Sequence, residues 1–351
     1  MFYYYPFGEP KKGKIVPREQ VHQELLWDNN AYKFIKTFNA RNSYYKYQLV
    51  PCQHCWACQL NKSAEWATRI MCEVKENPNN YFITLTYDDL HLPIAEKLYQ
   101  LKKHKDGETE ILEYENDGTW GGTLQPKDTE KFLHDIRQYF ERQGHKGIKY
   151  YYCGEYGEKT HRPHYHFILM NLPLDPKEFY EFHIDGNFKA HWKSKEIEKY
   201  WDKGMIDIAE VEWSSAAYVA RYCMKKLYPK NEDEYYQQGK LPEFTRMSRR
   251  PGIGMKYYEE HKHDIYKNDE MIARTVKGKV SSFKPPKAWD KKFKEEFPKE
   301  FEIIKKSRMK AAERTEKLLN ELSDYTDLEK QEIATRKVLE KNNMLPRPGE
   351  W

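Results

Sequence analysis

The chain has 351 residues, of which 60 are lysine or arginine and 55 are aspartate or glutamate, so its net charge is only +5 at pH 7. Its mean hydropathy of -1.01 and the lack of an apolar run of about 18 residues exclude a transmembrane helix. Aromatic residues precede lysines at its start, the reverse of a signal peptide, so we expect a cytoplasmic protein without membrane contact. Six cysteines in that compartment favour reduced thiols or metal ligands over disulfides.

Three cysteines, Cys52, Cys55 and Cys58, follow one another at intervals of three residues. This spacing lets successive thiolates bind one metal ion through a tight turn, and a tetrahedral set of ligands would favour zinc. Cys72 is the first candidate for the fourth ligand, and His54 is the second. Structural thiols without a metal are the alternative. An iron–sulfur cluster fits less well because the fourth cysteine is too distant.

Hydrophobic periodicity in the rest of the chain predicts a succession of helices and strands. Their order (strand, helix, hairpin, strand, helix) predicts an α+β fold in which helices pack on one face of an antiparallel sheet. Ser214 or Ser215 is expected to cap the last of these helices. The predicted elements are an irregular arm over 1–50, a helix over 59–76, a strand over 81–87, an excursion or hairpin over 101–122, a helix from Pro126, strands over 148–155 and 162–170, a short helix over 196–201, a strand over 205–211 and a helix over 216–227.

The strand predicted over residues 162–170 carries His164 and His166 on one face, because side chains alternate along a strand. Two imidazoles placed in this way can hold one divalent cation, although an isolated pair is more often structural. The antiparallel hairpin with the preceding strand brings Glu155 near His164, but the pairing register cannot be read from the sequence. Glu155 and Glu158 are therefore both candidates for a third ligand.

The last predicted core helix carries two tyrosines, Tyr218 and Tyr222, which share one helix face because they are four residues apart. A basic residue, Arg221 or Lys225, follows each tyrosine three positions later. A basic group beside a phenol favours the nucleophilic phenolate and attracts a phosphate. With 28 tyrosines in the chain, however, such a pair also arises by chance.

A basic loop with two glycines spans residues 246–254 and contains Arg246, Arg249 and Arg250. Its amides and guanidinium groups are suited to holding phosphates, and a solvated surface loop is the alternative. After residue 285, lysine and glutamate recur with helical spacing, which predicts a peripheral, charged helical tail. The expected domains are an N-terminal segment over 1–76, a central domain over 77–285 and the tail over 286–351.

Several segments, in this order, resemble the motifs of the HUH endonuclease superfamily. They are the strand FITLT over residues 82–86, the triplet His164-Tyr165-His166, and the tyrosine pair with its trailing lysine. Two tyrosines in the last motif resemble the rolling-circle initiator branch. Over about residues 50–260 the chain most resembles the replication initiators of microviruses, especially the gokushovirus group. The further shared features are the cysteine run with Trp66 and Arg69, the segment Gly154-Glu155-Tyr156-Gly157 before Arg162, and the loop from Ser248 to Gly254.

The resemblance implies an HUH endonuclease domain with a ferredoxin- or RRM-like core. His164 and His166 would bind Mg²⁺ or Mn²⁺ together with a glutamate that the family pattern places at the position of Glu155. The carboxylate matters to this assignment, because imidazoles alone suit zinc or iron. Thr84 and Thr86 would support the sheet beneath the site.

The resemblance also implies an enzyme that nicks and rejoins single-stranded DNA at a viral origin. Tyr218 or Tyr222 would form a 5′-phosphotyrosine and leave a 3′-hydroxyl that primes synthesis, and the other tyrosine would act after one round of replication. Arg221 and Lys225 would steady phosphates or the leaving oxygen. A host helicase and polymerase, in the cytoplasm of a bacterial host, are the expected partners.

Two other functions fit parts of the pattern. A non-catalytic, zinc-containing protein that binds single-stranded nucleic acid would explain the cysteines, the tyrosines and the basic loop without a cation at the histidines. A metal-dependent phosphodiesterase that uses water as its nucleophile would need the histidines but neither tyrosine. The three functions differ in whether a covalent protein–DNA adduct forms.

Overall fold

The computed structural model describes residues 2–6, 14–16, 45–49, 56–94, 97–103, 109–115, 122–157, 161–184, 190–226, 240–274 and 280–322, with only the backbone for some of them, including 221–226. The chain forms two units, one made of residues 1–59 and 305–346 and the other of residues 60–304 and 347–351.

The described strands of the first unit form a three-stranded antiparallel sheet. They are β1 (Phe2–Pro6), β2 (Lys14–Val16) and β3 (Tyr45–Leu49), in the order β2-β1-β3. Tyr3 of β1 pairs with Ile15 on one side and with Gln48 on the other. The irregular arm predicted for residues 1–50 is therefore wrong for these strands. Their partners are distant in sequence, so a local search for periodicity does not detect the pairing.

A seven-stranded antiparallel sheet forms the centre of the second unit, with the order β12-β7-β8-β4-β11-β10-β9. This sheet confirms the predicted α+β class. Two separate hairpins, β5 with β6 and β13 with β14, complete the described strands. The strands are β4 (Asn80–Thr86), β5 (Lys97–Lys103), β6 (Thr109–Glu115), β7 (Lys149–Tyr156), β8 (Pro163–Met170), β9 (Phe179–Ile184), β10 (Ala190–Ser194), β11 (Ile206–Glu210), β12 (Phe244–Met247), β13 (Met271–Arg274) and β14 (Val280–Phe283).

The helices are α1 (Trp56–Glu76), α2 (Pro126–Arg142), α3 (Lys195–Glu198), α4 (Trp213–Lys226), α5 (Met255–Asn268), α6 (Lys287–Glu296) and α7 (Pro298–Leu322). Within the described ranges, no helix is long and apolar enough to cross a membrane.

Helix α2 covers the first face of the large sheet. It begins at Pro126, as predicted, because proline suits the first turn of a helix, where its missing N–H is not needed. Its apolar stripe, which includes Phe132 and Ile136, is buried against side chains at odd positions of β8. The rings of Phe132 and Phe167 meet edge to face with their centroids 5.4 Å apart.

Helices α1 and α4 cover the opposite, second face. Ile70 of α1 and Val219 of α4 are buried with Ile168, which occupies an even position of β8. Ser63 Oγ donates a hydrogen bond to the carbonyl oxygen of Ala217 at 3.3 Å and so joins the two helices. The predicted packing of helices on one face only is therefore wrong, because the order of the elements does not specify the face that each helix takes.

The chain before α4 also departs from the prediction. Instead of a loop and one short helix, β9 and β10 form a hairpin that extends the sheet at its edge, and α3 is a single turn. Helix α4 starts earlier than expected, with Glu212 in the N-cap position. Ser215 Oγ accepts the backbone N–H of Glu212 at 2.8 Å, so Ser215 occupies the third position of a capping-box arrangement and neither predicted serine is the N-cap.

The first part of the expected tail is packed rather than peripheral. Trp289 and Phe293 of α6 are fully buried in an apolar cluster with Tyr258 and Tyr266 of α5. The rings of Tyr266 and Phe293 stack with their centroids 3.9 Å apart. Because lysine and glutamate surround these aromatic residues in the sequence, composition alone predicted a solvent-exposed segment.

A buried ion pair fixes the basic loop to α1. Lys149 Nζ lies 2.8 Å from Glu73 Oε2, and the two side chains are only 10% and 4% exposed. The same carboxylate oxygen accepts the backbone N–H of Gly254 at 2.8 Å, and Lys149 Nζ donates to the carbonyl of Gly252 at 3.5 Å. The Gly254 amide, expected to hold a phosphate, is therefore bound to a carboxylate of the protein itself.

We expect Glu73→Ala to lower the free energy of unfolding by about 3–5 kcal/mol, because it leaves the buried charge of Lys149 without its partner. Urea denaturation followed by tryptophan fluorescence measures this change. Asp135→Ala is the matched control, since it removes an exposed ion pair with Lys131 that contributes at most about 1 kcal/mol. Equal losses for the two variants would contradict a structural role for Glu73.

Candidate active site

Strands β7, β8 and β4 bring the predicted cation ligands to one place on the second face. Glu155 of β7 lies opposite His164 of β8, and Thr84 of β4 lies opposite His166. Directly opposed residues on neighbouring strands point to the same face of a sheet. The register, which the sequence left open, therefore places Glu155 beside the histidines. The competing residue, Glu158, lies outside the described residues.

The carboxylate of Glu155 lies between the two imidazoles. Its Oε1 is 2.8 Å from His164 Nε2 and 2.9 Å from His166 Nε2, and the residue is 1% exposed. Burial raises the pKa of Glu155, but the charge of His166 and the hydrogen bonds from both imidazoles outweigh burial and lower the pKa to about 2. Glu155 is therefore ionised at physiological pH, as a cation ligand must be.

Other polar groups hold the second nitrogen of each imidazole. His164 Nδ1 donates to the carbonyl oxygen of Arg162 at 3.1 Å, and His166 Nδ1 lies 3.0 Å from Thr84 Oγ1. A neutral imidazole that carries its proton on Nδ1 presents a lone pair at Nε2. Both Nε2 atoms thus meet at the Glu155 carboxylate in the form that binds a cation.

The donor set fits a divalent cation. The ligand atoms of Glu155, His164 and His166 lie within 4.8 Å of one another. Glu155 Oε2 is buried without a hydrogen-bond partner, which is unfavourable unless another group satisfies it. A cation held by these residues would satisfy that oxygen, and the carboxylate extends the range of suitable ions from zinc toward Mn²⁺ and Mg²⁺.

Tyr218 of α4 reaches the same place. Its hydroxyl donates to Glu155 Oε1 at 3.3 Å, and its ring meets that of His166 edge to face with centroids 5.5 Å apart. The structure therefore brings one predicted nucleophile together with the predicted cation ligands. Tyr222, Arg221 and Lys225 belong to the same helix, and their side chains lie outside the described part of the chain.

Strand β4 contributes two contacts that sequence reasoning did not assign. The ring of Phe82 stacks on His166, with centroids 5.5 Å apart and an angle of 11° between the planes. Thr84, expected only to support the sheet, contacts His166 Nδ1 directly. Both residues occupy even positions of β4, whereas the buried Ile83 and Leu85 face the other side. That alternation was visible in the sequence, but its pairing with β8 was not.

We expect Thr84→Val to weaken Mn²⁺ binding by about 10–100-fold, because the hydroxyl orients an imidazole that would ligate the ion. Titration calorimetry with Mn²⁺ measures the affinity. Thr86→Val is the control, since Thr86 is on the same strand and its hydroxyl donates to the carbonyl of Met205 at 3.4 Å rather than to a histidine. Equal Mn²⁺ affinities for the two variants would remove Thr84 from the site.

Glycine is required immediately before Glu155. A Cβ atom at Gly154 would lie 2.9 Å from side-chain atoms of Leu124 and Phe244 and 3.0 Å from the ring of Tyr165. These distances are shorter than van der Waals contact, so a larger residue would displace the apolar packing of the first face directly behind the candidate ligand.

The predicted DNA-binding residue Arg246 is not part of this site. It lies opposite Tyr152 on β7, and Tyr152 belongs to the apolar cluster of the first face. Its guanidinium lies 3.4 Å from Glu130 Oε1 and 5.7 Å from the centroid of the Phe244 ring. Arg246 is thus on the face opposite the histidines, beside helix α2.

Arg249 and Arg250 are exposed on the basic loop at the far end of β7. The backbone N–H of Ser248 donates to the carbonyl of Tyr150 at 2.9 Å. Glu155 is five residues further along the strand, about 17 Å away at the usual rise per residue. These arginines are therefore distant from the histidines, and only a longer stretch of DNA could contact both.

The cysteine site is partly outside the described residues, which include neither Cys52 nor Cys55. Cys58 and Cys72 both belong to the continuous helix α1, so fourteen residues separate them by about 21 Å. Cys72 is buried in the apolar cluster that contains Tyr258, and burial raises the pKa of its thiol to about 12. The choice of Cys72 as a zinc ligand together with Cys58 is therefore wrong.

Comparison with known proteins finds phage replication proteins. A family model that describes replication-associated proteins of the ORF2 type matches residues 80–227, from the start of β4 to just beyond α4. The chain is 39% identical over 300 residues to the replication-associated protein ORF2 of Spiroplasma virus 4, and the match covers 84% of each protein.

More distant similarity extends to two further phages. The replication-associated protein VP4 of Bdellovibrio phage phiMH2K is 28% identical over 227 residues, 63% of this chain and 61% of the relative. The replication-associated protein ORF4 of Chlamydia phage 1 is 26% identical over 210 residues, 59% of this chain and 44% of the relative. No solved structure matches the chain. The chain therefore belongs to the family of replication-associated proteins of microviruses and has a role in viral replication.

Proposed function

We propose that the chain is an HUH endonuclease that nicks and rejoins single-stranded DNA at the viral origin through a 5′-phosphotyrosine intermediate. One observation carries the proposal: the hydroxyl of Tyr218 donates to Glu155, the same carboxylate that contacts both His164 and His166. A phenol nucleophile beside two imidazoles and a carboxylate is the combination that cation-assisted attack on a phosphodiester needs.

Glu155, His164 and His166 would hold Mg²⁺ or Mn²⁺. An ion bound by these residues would supply Lewis-acid chemistry, which means that it would polarise the scissile phosphate and neutralise the charge that develops on its oxygens. Phe82 and Thr84 would keep the imidazole of His166 in a fixed orientation, because they contact its face and its Nδ1.

The phenolic oxygen of Tyr218 would attack the phosphorus in line with the leaving 3′-oxygen. A Tyr218–phosphorus bond forms as the phosphorus–O3′ bond breaks, and the departing oxygen takes up a proton to become a 3′-hydroxyl. Glu155 accepts the hydrogen bond of the phenol and so orients it. Because the pKa of Glu155 is lowered to about 2, this carboxylate is a weak base, and the phenolic proton passes to solvent.

Tyr222 would be the second nucleophile. It follows Tyr218 by four positions in α4, the spacing at which a helix repeats one face. After one round of synthesis it would cut the regenerated origin, while the displaced strand is circularised by attack of its own 3′-hydroxyl on the first phosphotyrosine. The 3′-hydroxyl left by the first cut would be extended by a host polymerase with a host helicase.

The test uses end-labelled single-stranded oligonucleotides that tile the viral genome, incubated with Mn²⁺ and resolved on a denaturing gel. The unaltered protein is expected to give a covalent adduct that disappears with EDTA and with the double change Tyr218→Phe and Tyr222→Phe. Tyr150→Phe, on the first face of the sheet, is the control and should keep the adduct.

Other outcomes would assign other functions. Cleavage that survives the double change would identify water as the nucleophile and a phosphodiesterase as the activity. Binding without cleavage or adduct under any divalent metal would indicate a non-catalytic single-stranded DNA-binding protein.

A further inference from the structure

A second group of two imidazoles and one carboxylate lies near the edge of the large sheet. His183 of β9, His191 of β10 and Asp207 of β11 come from three consecutive strands in the sheet order. One ligand atom from each residue lies within 4.8 Å of the others. Spacing in the sequence could not reveal this group, because its members are brought together only by strand pairing.

The group shares the second face with the candidate active site. Asp207 lies directly opposite Thr84, and Thr84 lies directly opposite His166. Opposed residues point to one face, so Asp207 is two strands away from His166, about 10 Å across the sheet. His183 and His191 form the next opposed pair toward the edge.

The geometry within the group suits a cation. His191 Nδ1 lies 2.7 Å from Asp207 Oδ2, and the rings of His183 and His191 stack with centroids 4.9 Å apart. Two protonated rings in this arrangement would repel each other, whereas two neutral rings can share one cation with the carboxylate. The side chains of His191 and Asp207 are 17% and 35% exposed, and the exposed His183 leaves an open side.

A third group of potential ligands shows the contrast. Glu76, Glu260 and His261 also lie close together on the second unit. Lys256 Nζ, however, lies 3.4 Å from a carboxylate oxygen of Glu76 and 3.9 Å from one of Glu260. Those carboxylates already take part in a solvated ion-pair network, which explains the cluster without a metal.

We propose that His183, His191 and Asp207 form a second divalent-cation site, whose open coordination position takes a backbone phosphate of bound single-stranded DNA. Two imidazoles and one carboxylate with a free position are the ligand set of many zinc sites, and imidazole favours Zn²⁺ over Mg²⁺. The phosphate part of the proposal rests on the proposed function, because the strand held at His164 and His166 would continue across the same face.

Zinc stoichiometry tests the site without any reference to activity. Equilibrium dialysis against Zn²⁺ followed by elemental analysis should show one equivalent fewer for His183→Ala than for the unaltered protein, or binding weaker by about tenfold or more. His183 is exposed, so its replacement should leave the fold intact, as circular dichroism can verify. His134→Ala, an exposed histidine of α2, is the control for non-specific binding.

Asp207→Asn provides an independent second variant, since it removes the carboxylate but keeps the size of the side chain. Loss of one zinc equivalent in both variants, and not in the control, would support the site. Unchanged zinc binding in His183→Ala and Asp207→Asn, or an equal loss in His134→Ala, would overturn it.

The phosphate contact is tested by fluorescence anisotropy with a labelled oligothymidylate, in a Tyr218→Phe and Tyr222→Phe background that prevents an adduct. Zn²⁺ should tighten binding by about tenfold, and His183→Ala should abolish that gain while His134→Ala keeps it. A zinc equivalent that is lost without any change in DNA affinity would overturn the phosphate role. A failed adduct assay would overturn the proposed function, and the zinc stoichiometry would still decide whether the site exists.

Discussion

Tyr218→Phe is expected to lower the rate of adduct formation by roughly 10³-fold or more, since it removes the oxygen that would attack the phosphorus. The change deletes one atom and keeps the ring, whose edge-to-face contact with His166 is apolar. The lost hydrogen bond to Glu155 should lower the free energy of unfolding by about 1 kcal/mol. A large kinetic loss with an intact fold would therefore reflect chemistry rather than stability.

The measurement is the initial rate of adduct formation in Mn²⁺ from quenched time points. Tyr222→Phe is the matched variant on the same helix, and it should keep the first cut while losing the second. The reverse result, a normal rate in Tyr218→Phe and none in Tyr222→Phe, would make Tyr222 the first nucleophile. Manganese affinity should be unchanged in both variants, because neither residue is a proposed ligand.

Local patterns in the sequence were sufficient to predict part of the site. Alternation along β8 placed His164 and His166 on one face, and the short connection to β7 brought Glu155 into range. The same alternation separates Phe167 on the first face from Ile168 on the second. These predictions succeeded because they depend only on the period of a strand and on hairpin connectivity.

The remaining parts of the site depend on contacts between distant segments. Thr84 contacts His166 across 82 residues of sequence, and Asp207 joins its two histidines only because β11 pairs between β4 and β10. Whether α1 and α4 lie on the same face as α2 is also a property of chain crossing rather than of periodicity. Such pairings are specified by the burial of the whole sheet, which no single segment encodes.

The basic loop failed as a predicted phosphate site for a similar reason. Its composition, with two glycines and several arginines, is equally suited to binding a phosphate or a carboxylate. The buried Glu73 occupies the Gly254 amide, and Arg69 Nε donates to the carbonyl of Ile253 at 3.0 Å. The loop is held by anions and carbonyls of the protein itself, and Glu73 lies far from it in sequence.

Glu155→Gln is the change that separates the charge of the third ligand from its shape. The amide oxygen of glutamine can still accept a hydrogen bond from Tyr218 or from one imidazole, so the packing should be retained. Without the negative charge, Mn²⁺ binding should weaken by more than about 100-fold, and adduct formation should fall to the level seen with EDTA. Unchanged Mn²⁺ affinity in Glu155→Gln would show that the cation does not bind at this carboxylate.

The acid dependence of stability tests the same carboxylate without a metal. The pKa of Glu155 is about 2 in the folded protein, against an ordinary value of 4.5, so the unfolded chain takes up the proton first as the pH falls. The ionised carboxylate therefore stabilises the fold above about pH 4.5, and this contribution, about 3 kcal/mol, is lost as the pH falls toward 2. In EDTA, the difference in unfolding free energy between the unaltered protein and Glu155→Gln should shrink by that amount.

Urea denaturation at several pH values between 5 and 2 measures this difference, because titrations common to both proteins cancel. Glu196→Gln supplies a control of opposite sign. Burial raises the pKa of Glu196, so its ionisation opposes folding, and its contribution becomes less favourable as the pH rises through that window. If the Glu155→Gln difference does not vary with pH, then the imidazolium groups of His164 and His166 do not stabilise the charge of Glu155, and the electrostatic basis of the cluster as a cation site is lost.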